Sequence, residues 1–453
     1  MTYLFSNTVI VANEVEIKND AANTLPISII HEGNVVNHYN ELPVTLSAGA
    51  SDAFGRLRIS NPYTLGDYKH LYGIDPNFID KLDNGGTIAF VRNQACAKLA
   101  TNAHPHSNVI HQTKMYHHYM PGKSQLIKST FNFYSNTTNV IKRTGYFDEY
   151  NGIYFEQDGN GVLSFCIRTD VSGSASDARK IPQSQWNVDK CDGTGPSKFN
   201  LDITKTQILF IDFQWLGVGR VRCGFVHDGI FISAHEFYNS NNLDVVYMSN
   251  PNLPVRCEIR NVGATTGANL DQICSTVISE GGYVESGQDW GVTSPSSRSL
   301  NSGNTLPIMA IKLAPTLRGY PNRETVRMGQ ISLYSSASTI KYKLIKLPNE
   351  GFLIGGDWAN VNIESGVLYN SNATLSIDGE EIDNGFITAT AGSGSSGKAT
   401  AGTATPNAPS VAKKNFITQN YFNSNSEVFV VVVTNIGPDP TTVEAGVQWR
   451  EIY

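Results

Sequence analysis

Between residues 201 and 237 apolar and polar positions alternate with a period of two, the mark of half-buried β-strands. Leu209, Ile211, Phe213 and Trp215 share one side, and Val221, Cys223 and Phe225 do the same after the turn-prone Leu216-Gly217-Val218-Gly219. Asp228-Gly229 then predicts a two-residue hairpin into Ile230-Phe231-Ile232. The alternation recurs at Ile127, Ser129, Phe131 and Phe133, while Asn151-Gly152 leads into Ile153-Tyr154-Phe155. Asp158-Gly159-Asn160-Gly161 turns the chain into a further apolar run at 162–167. Strand signals at this spacing over 107–340 predict a mainly β protein built on an antiparallel β-sandwich, jelly-roll or lectin-like.

The flanks read differently. Residues 1–55 carry short apolar pieces among Asn, Ser and Gly, too little apolar surface to stand alone, and predict an N-terminal docking arm. The central sandwich is expected over 56–340, with a short helix near 75–82 started by Asp75-Pro76 and a Ser/Gly-rich surface loop at 284–305. Residues 341–453 predict a smaller C-terminal β region, interrupted by a low-complexity, flexible loop at 391–410. Within it, the run that follows Glu427 is apolar on both faces and needs cover from both sides.

Composition narrows the function. Forty glycines, 20 tyrosines and 20 phenylalanines with 16% charged residues describe a turn-rich aromatic β protein among 453 residues. A net charge of −6 and no run of Lys or Arg exclude a general affinity for nucleic acid or anionic membrane. The six cysteines form no CxxC pair and read as reduced, structural thiols. The first twenty residues resemble neither a signal peptide nor a membrane anchor, so a soluble protein made in a cytoplasm is expected.

Candidate chemistry is sparse. Five of the ten histidines, His104, His106, His111, His117 and His118, lie within fifteen residues. His104-Pro105-His106, if extended, would aim two imidazoles one way, and symmetry-related copies could complete a metal site. The competing reading is polar surface histidines, and no Cys or carboxylate stands close in sequence. Glu156 and Asp158 have the spacing of a glycosidase carboxylate pair, yet the third acid is missing and Asp158 belongs to a turn. No G-x-S-x-G occurs, and Gly217-x-Gly219 leads into a strand where a phosphate loop would need a helix. No cofactor motif is present, and no enzyme is expected. Aromatic side chains are the better lead: Trp186, Trp290, Tyr283 and Tyr320 lie in or beside loops rich in Gly, Asn and Ser, as rings that stack on sugars or dock proteins do.

Several strings resemble a family of virion structural, tail-fibre-like proteins of tailed bacteriophages, of cyanophage and marine phage type. They are DAFGRLR at 52–58, TLGDYKHLYG at 64–73, GYFDEYNGIYF at 145–155, QSQWNVDKCDGTGPS at 183–197, the 201–225 block with WLGVGRVR, NLPVRCEIRN at 252–261, ICSTVISEGGY at 273–283 and the closing QWREIY. The resemblance implies a virion component of tail, baseplate or fibre that contacts other virion proteins, copies of itself and possible host glycans or receptors. It carries no catalytic residues. Alternatives are a capsid decoration or head-fibre protein and a glycan-degrading tailspike.

Overall fold

A computed structural model describes residues 61–284, 286–376, 379–388 and 416–452, together with 52–53, 395–397 and short strands before residue 36. The chain divides into two compact units, Met1–Ser51 and Asp52–Tyr453. In the first, Ile10–Ala12, Val15–Asn19, Ile27–His31 and Asn34–Val35 pair in order as an antiparallel sheet. The rest of the expected arm lies outside the described residues, as does most of the 391–410 loop.

The second unit holds two antiparallel sandwiches, and no α-helix occurs among the described residues. In the first sandwich an eight-stranded sheet contains Gln207–Phe213, Val221–His227 and Ile230–Phe237 beside Gln125–Asn132 and Asn269–Ser279. Facing it, a seven-stranded sheet runs in the order Ser176–Pro182, Leu163–Thr169, Gly152–Gln157, Val140–Phe147, Val255–Asn261, Asn108–Thr113 and Phe78–Asp83. The alternation read from sequence is the core: Leu209, Ile211, Phe213, Val221, Cys223 and Phe225 all lie within it, with Ile127, Phe131 and Phe133. The expected hairpin closes at Asp228 and Gly229, both at positive φ (50° and 79°), the backbone that a two-residue hairpin of this type requires. Five cysteines are buried and Cys274 is exposed, all six as free thiols.

The helix expected at 75–82 does not form. Asp75 instead caps a tight turn, its Oδ1 accepting from Asn77 N–H at 2.9 Å and its carbonyl from Phe78 N–H at 3.1 Å. Phe78–Asp83 then pairs with Asn108–Thr113, and those ladder bonds outweigh the helix-start signal of a short segment. The division expected at 340 also differs. Strands Gln288–Thr293, Arg298–Leu300, Thr305–Leu313 and Thr325–Ser335 pair with those after 340, so the second sandwich begins inside the expected 284–305 loop.

Val428–Asn435 is the inner strand of the second sandwich and has the two-sided cover its sequence demanded. Phe429, Val431 and Val433 enter the main core of this sandwich, while Val428, Val430 and Val432 pack a second cluster with Ile345, Leu347 and Ala310. Val430→Ala and Val431→Ala should therefore each lower stability by about 2 kcal/mol in chemical denaturation. Were one face solvated, only one of the two would register.

Candidate functional site

One side chain stands at the centre of the contact between the sandwiches. Arg323 leaves the second sandwich, forms a 3.0 Å ion pair with the fully buried Asp148, and lies 5.3–5.6 Å from the ring centres of Tyr116, Tyr150 and Tyr421. Asp148 is fixed in turn, accepting from the backbone N–H groups of Tyr150 and Asn151 at 2.8 and 2.9 Å. Burial pushes the Asp148 carboxyl up, and Arg323 opposes this. A second link runs from Lys114 to Glu427 at 3.4 Å, with Lys346 on the same carboxylate at 2.9 Å.

Beside this junction a cleft of about 1080 Å³ opens between the sandwiches. From the first come Tyr150, Asn151, Asp170, Ser249, Asn250 and Asn252; the second supplies Trp290, Tyr320, Arg318, Glu324 and Glu451 among others. Trp290 is half-buried against the second core and cross-strand from Trp449, so its indole is held from behind. Tyr320 is 76% exposed. It stands on a small hairpin, Thr316–Leu317 with Tyr320–Pro321, whose turn residues Arg318 and Gly319 both have positive φ. Arg318 pairs with Glu364 across the rim. The result is three aromatic rings, Tyr150, Trp290 and Tyr320, among amides, hydroxyls and carboxylates, the surface chemistry that stacks on a sugar and holds its hydroxyls.

Two carboxyl groups line the base. Glu451 accepts from Ser365 O–H at 2.5 Å, Gly366 N–H at 3.0 Å and the Trp449 indole N–H at 2.9 Å. Glu324 is 6% exposed, and its Oε2 has no hydrogen-bond partner among the described residues. It lies so close to Gly366 that a Cβ there would force the Glu324 carboxyl to shift. Burial, with Glu451 beside it, pushes the Glu324 carboxyl up to about 8.

The structure sorts the other candidates. Trp186 is not a surface ring: it is 3% exposed, packed on Phe165 and Phe225, with its indole N–H on the Ile181 carbonyl at 3.2 Å. Its loop is polar because the side chain points inward to fill the end of the core. Tyr283 is away from the cleft and stacks on Tyr63 at 4.7 Å. His104 and His106 are exposed, but 104–107 is a turn and not an extended segment, closed by Ser107 N–H on the His104 carbonyl. The remaining histidines are dispersed: His111 pairs with Asp80, His117 with Tyr68 and His118 with Ser286. No group of three or more metal-ligating side chains occurs among the described residues. Glu156 is fully buried between Arg143 and Lys180, at 2.6 Å from each, and Asp158 caps its own turn through Asn160 and Val162 N–H. Arg323, Glu324 and Glu451 gave no sequence signal, since each acquires its meaning from a partner distant in sequence.

Glu324 supplies a pH test. Its raised folded value means that the native state binds a proton more tightly than the unfolded chain does. The associated stability is fully present below the ordinary value of 4.5 and is lost as pH rises through about 8. We expect Glu324→Gln, which stays neutral, to exceed the parent by about 1 kcal/mol or more at pH 9 and to match it at pH 4, below the ordinary carboxyl value, read by denaturation at both.

No protein-family model and no curated protein matches the sequence. Among solved structures, similarity extends to a legume lectin-like domain from Entamoeba histolytica, 12% identical with a TM-score of 0.28, covering 46% of this chain and 95% of that one. It extends also to the CBM2 module of an evolved Dit protein from Lactobacillus casei BL23 phage J-1, 8% identical with a TM-score of 0.33, covering 49% and 99%. A third, from work on endo-acting O-glycanases of human gut microbiota, is 12% identical with a TM-score of 0.33, covering 48% and 99%.

Proposed function

We propose that this chain is a structural component of a tailed-phage virion, of tail, baseplate or fibre, that binds a host-surface glycan in the cleft between its sandwiches. The observation that carries glycan binding is the convergence of Trp290 and Tyr320 with amide and carboxylate side chains in one groove. Rings supply flat apolar faces for the C–H surface of a pyranose, while Asn250, Asn252 and Gln288 offer both donors and acceptors to its hydroxyls. The virion role rests on the resemblance of the long strings at 52–73, 145–155, 183–225 and 252–283 to phage structural proteins, and the mainly β fold suits it. Multivalent copies on a particle would raise a modest single-site affinity by avidity.

A second reading, glycan cleavage, has one observation in its favour: Glu324 and Glu451 line the same cleft, one kept protonated by burial near neutral pH. Against it, all three hydrogen bonds to Glu451 come from fixed donors of its own sandwich.

Binding of the full chain to host-derived surface polysaccharide, measured by calorimetry, separates these readings. Trp290→Ala and Tyr320→Ala should each weaken binding by about 1–3 kcal/mol, and Tyr283→Ala should leave it unchanged. Retained affinity in both cleft variants would discard the cleft. Release of new reducing ends by the parent, lost in Glu324→Gln, would replace the binding role with cleavage.

A further inference from the structure

The face of the seven-stranded sheet turned away from the core carries a charged layer. Arg143 pairs across strands with Glu156 and Glu258, at 2.6 and 3.3 Å. Arg168 grips Asp177 through two bonds of 2.8 and 3.0 Å, and Arg256 reaches Glu149 at 2.9 Å and Glu258 at 2.8 Å. Three of these guanidinium groups lie over a buried aromatic pair: Arg143 and Arg168 over Tyr154 at 5.1 and 5.3 Å, Arg256 over Phe147 at 5.2 Å. The layer is thus fixed from below before any ligand arrives.

Above it is a cavity of about 520 Å³. Four arginines line it, Arg143, Arg168, Arg256 and Arg260, against three acids, Glu149, Asp177 and Glu258. Glu156, deeper in the layer, is matched by Lys180. One positive charge is left over, and it falls on Arg260. The nearest carboxylate to its Nε is Glu258 at 3.6 Å, too long for a hydrogen bond, and that carboxylate already serves Arg143 and Arg256. Partial burial and the neighbouring Arg143 disfavour the Arg260 charge more than Glu258 and Glu156 favour it, so an anion beside it would ease that balance.

The polar atoms around this cavity also point to a ligand. Arg256 Nε and Arg260 Nε donate no hydrogen bond, and Asn108 Oδ1, Asn261 Oδ1 and Glu149 Oε2 accept none, among the described residues. Asn261 is 4% exposed and its amide nitrogen is fixed on the carbonyls of Asn102 and His104, which sets the direction of its oxygen. Donors and acceptors left open together suit hydroxyl groups, which do both.

We propose that this cavity is a second saccharide site, distinct from the cleft, that takes a sugar unit bearing a carboxylate or sulfate, with Arg260 on the anionic group and Asn108, Asn261 and Arg256 on its hydroxyls. Its occupancy does not depend on the cleft.

The full chain is titrated with an oligogalacturonate, a sulfated oligosaccharide and a neutral oligosaccharide of the same length. Binding of at least one acidic probe is expected, weakening as salt rises. Arg260→Gln, at a side chain 42% exposed and so tolerant of change, should lower that affinity about tenfold or more. Trp290→Ala should leave it intact. The acidic probe that survives in the parent identifies the anion. The proposal is overturned if neither acidic probe binds, if the neutral probe binds this site equally well, or if Arg260→Gln binds like the parent. Loss of acidic-probe binding in Trp290→Ala would also overturn it, by moving the ligand to the cleft. Failure of the cleft reading would show separately, as Trp290→Ala and Tyr320→Ala variants that keep binding host polysaccharide.

Discussion

The buried ion pair of Arg323 with Asp148 ties the two sandwiches together beside the cleft. A guanidinium taken from water is costly, and what offsets that cost here is a buried carboxylate together with three tyrosine rings. A lysine would keep the charge but lose the planar contact with the rings. Because Tyr116, Tyr150 and Asp148 come from one sandwich and Arg323 and Tyr421 from the other, the contact sets their spacing. Tyr150, Asn151, Arg323 and Glu324 then pass directly from the junction into the cleft wall. The cleft wall and the docking of the two sandwiches are therefore not separable in this part of the molecule.

The two sandwiches use opposite solutions for the faces of their sheets. In the second, Val428–Asn435 is apolar on both faces, and two hydrophobic clusters cover it. In the first, one face of the seven-stranded sheet packs an aromatic core with Phe155, Phe165 and Trp186, while the other buries arginines and carboxylates over Tyr154 and Phe147. Such a layer contributes less to stability than an apolar one would, because each charge must be desolvated. What it supplies is a rigid arrangement of charge.

Much of this was legible in the chain. The period-two runs around 209–225 gave the core residues, and Asp228-Gly229 gave the hairpin, because both depend on local geometry. The two-faced run after Glu427 foretold an inner strand for the same reason. What failed depended on distant partners. Asp75-Pro76 reads as a helix start until Asn108–Thr113 offers Phe78–Asp83 a ladder. Trp186 reads as a loop ring until Phe165 and Phe225 close round it. Of the four aromatic candidates, Trp290 and Tyr320 do come together, because Gln288–Thr293, read from sequence as part of a surface loop, pairs with Thr441–Ile452. Arg260 and Glu324 are ordinary charged residues in sequence; their neighbours make them unusual.

The pairing of distant strands has a consequence for the order in which the chain acquires its shape. Among the described residues Tyr63–Lys69 pairs with Asn269–Ser279, and Gln288–Thr293 with Thr441–Ile452. Each sandwich is thus stitched shut by a strand made long after the first, a topology that folds slowly because a long loop must close before the contacts reward it. During synthesis the first sandwich can close while the second is still without the strand that carries Trp449 and Glu451. Until Val428–Asn435 and Thr441–Ile452 are made, Thr305–Leu313, Thr325–Ser335 and Ile340–Leu347 lack these ladder partners, and their apolar faces are open to aggregation.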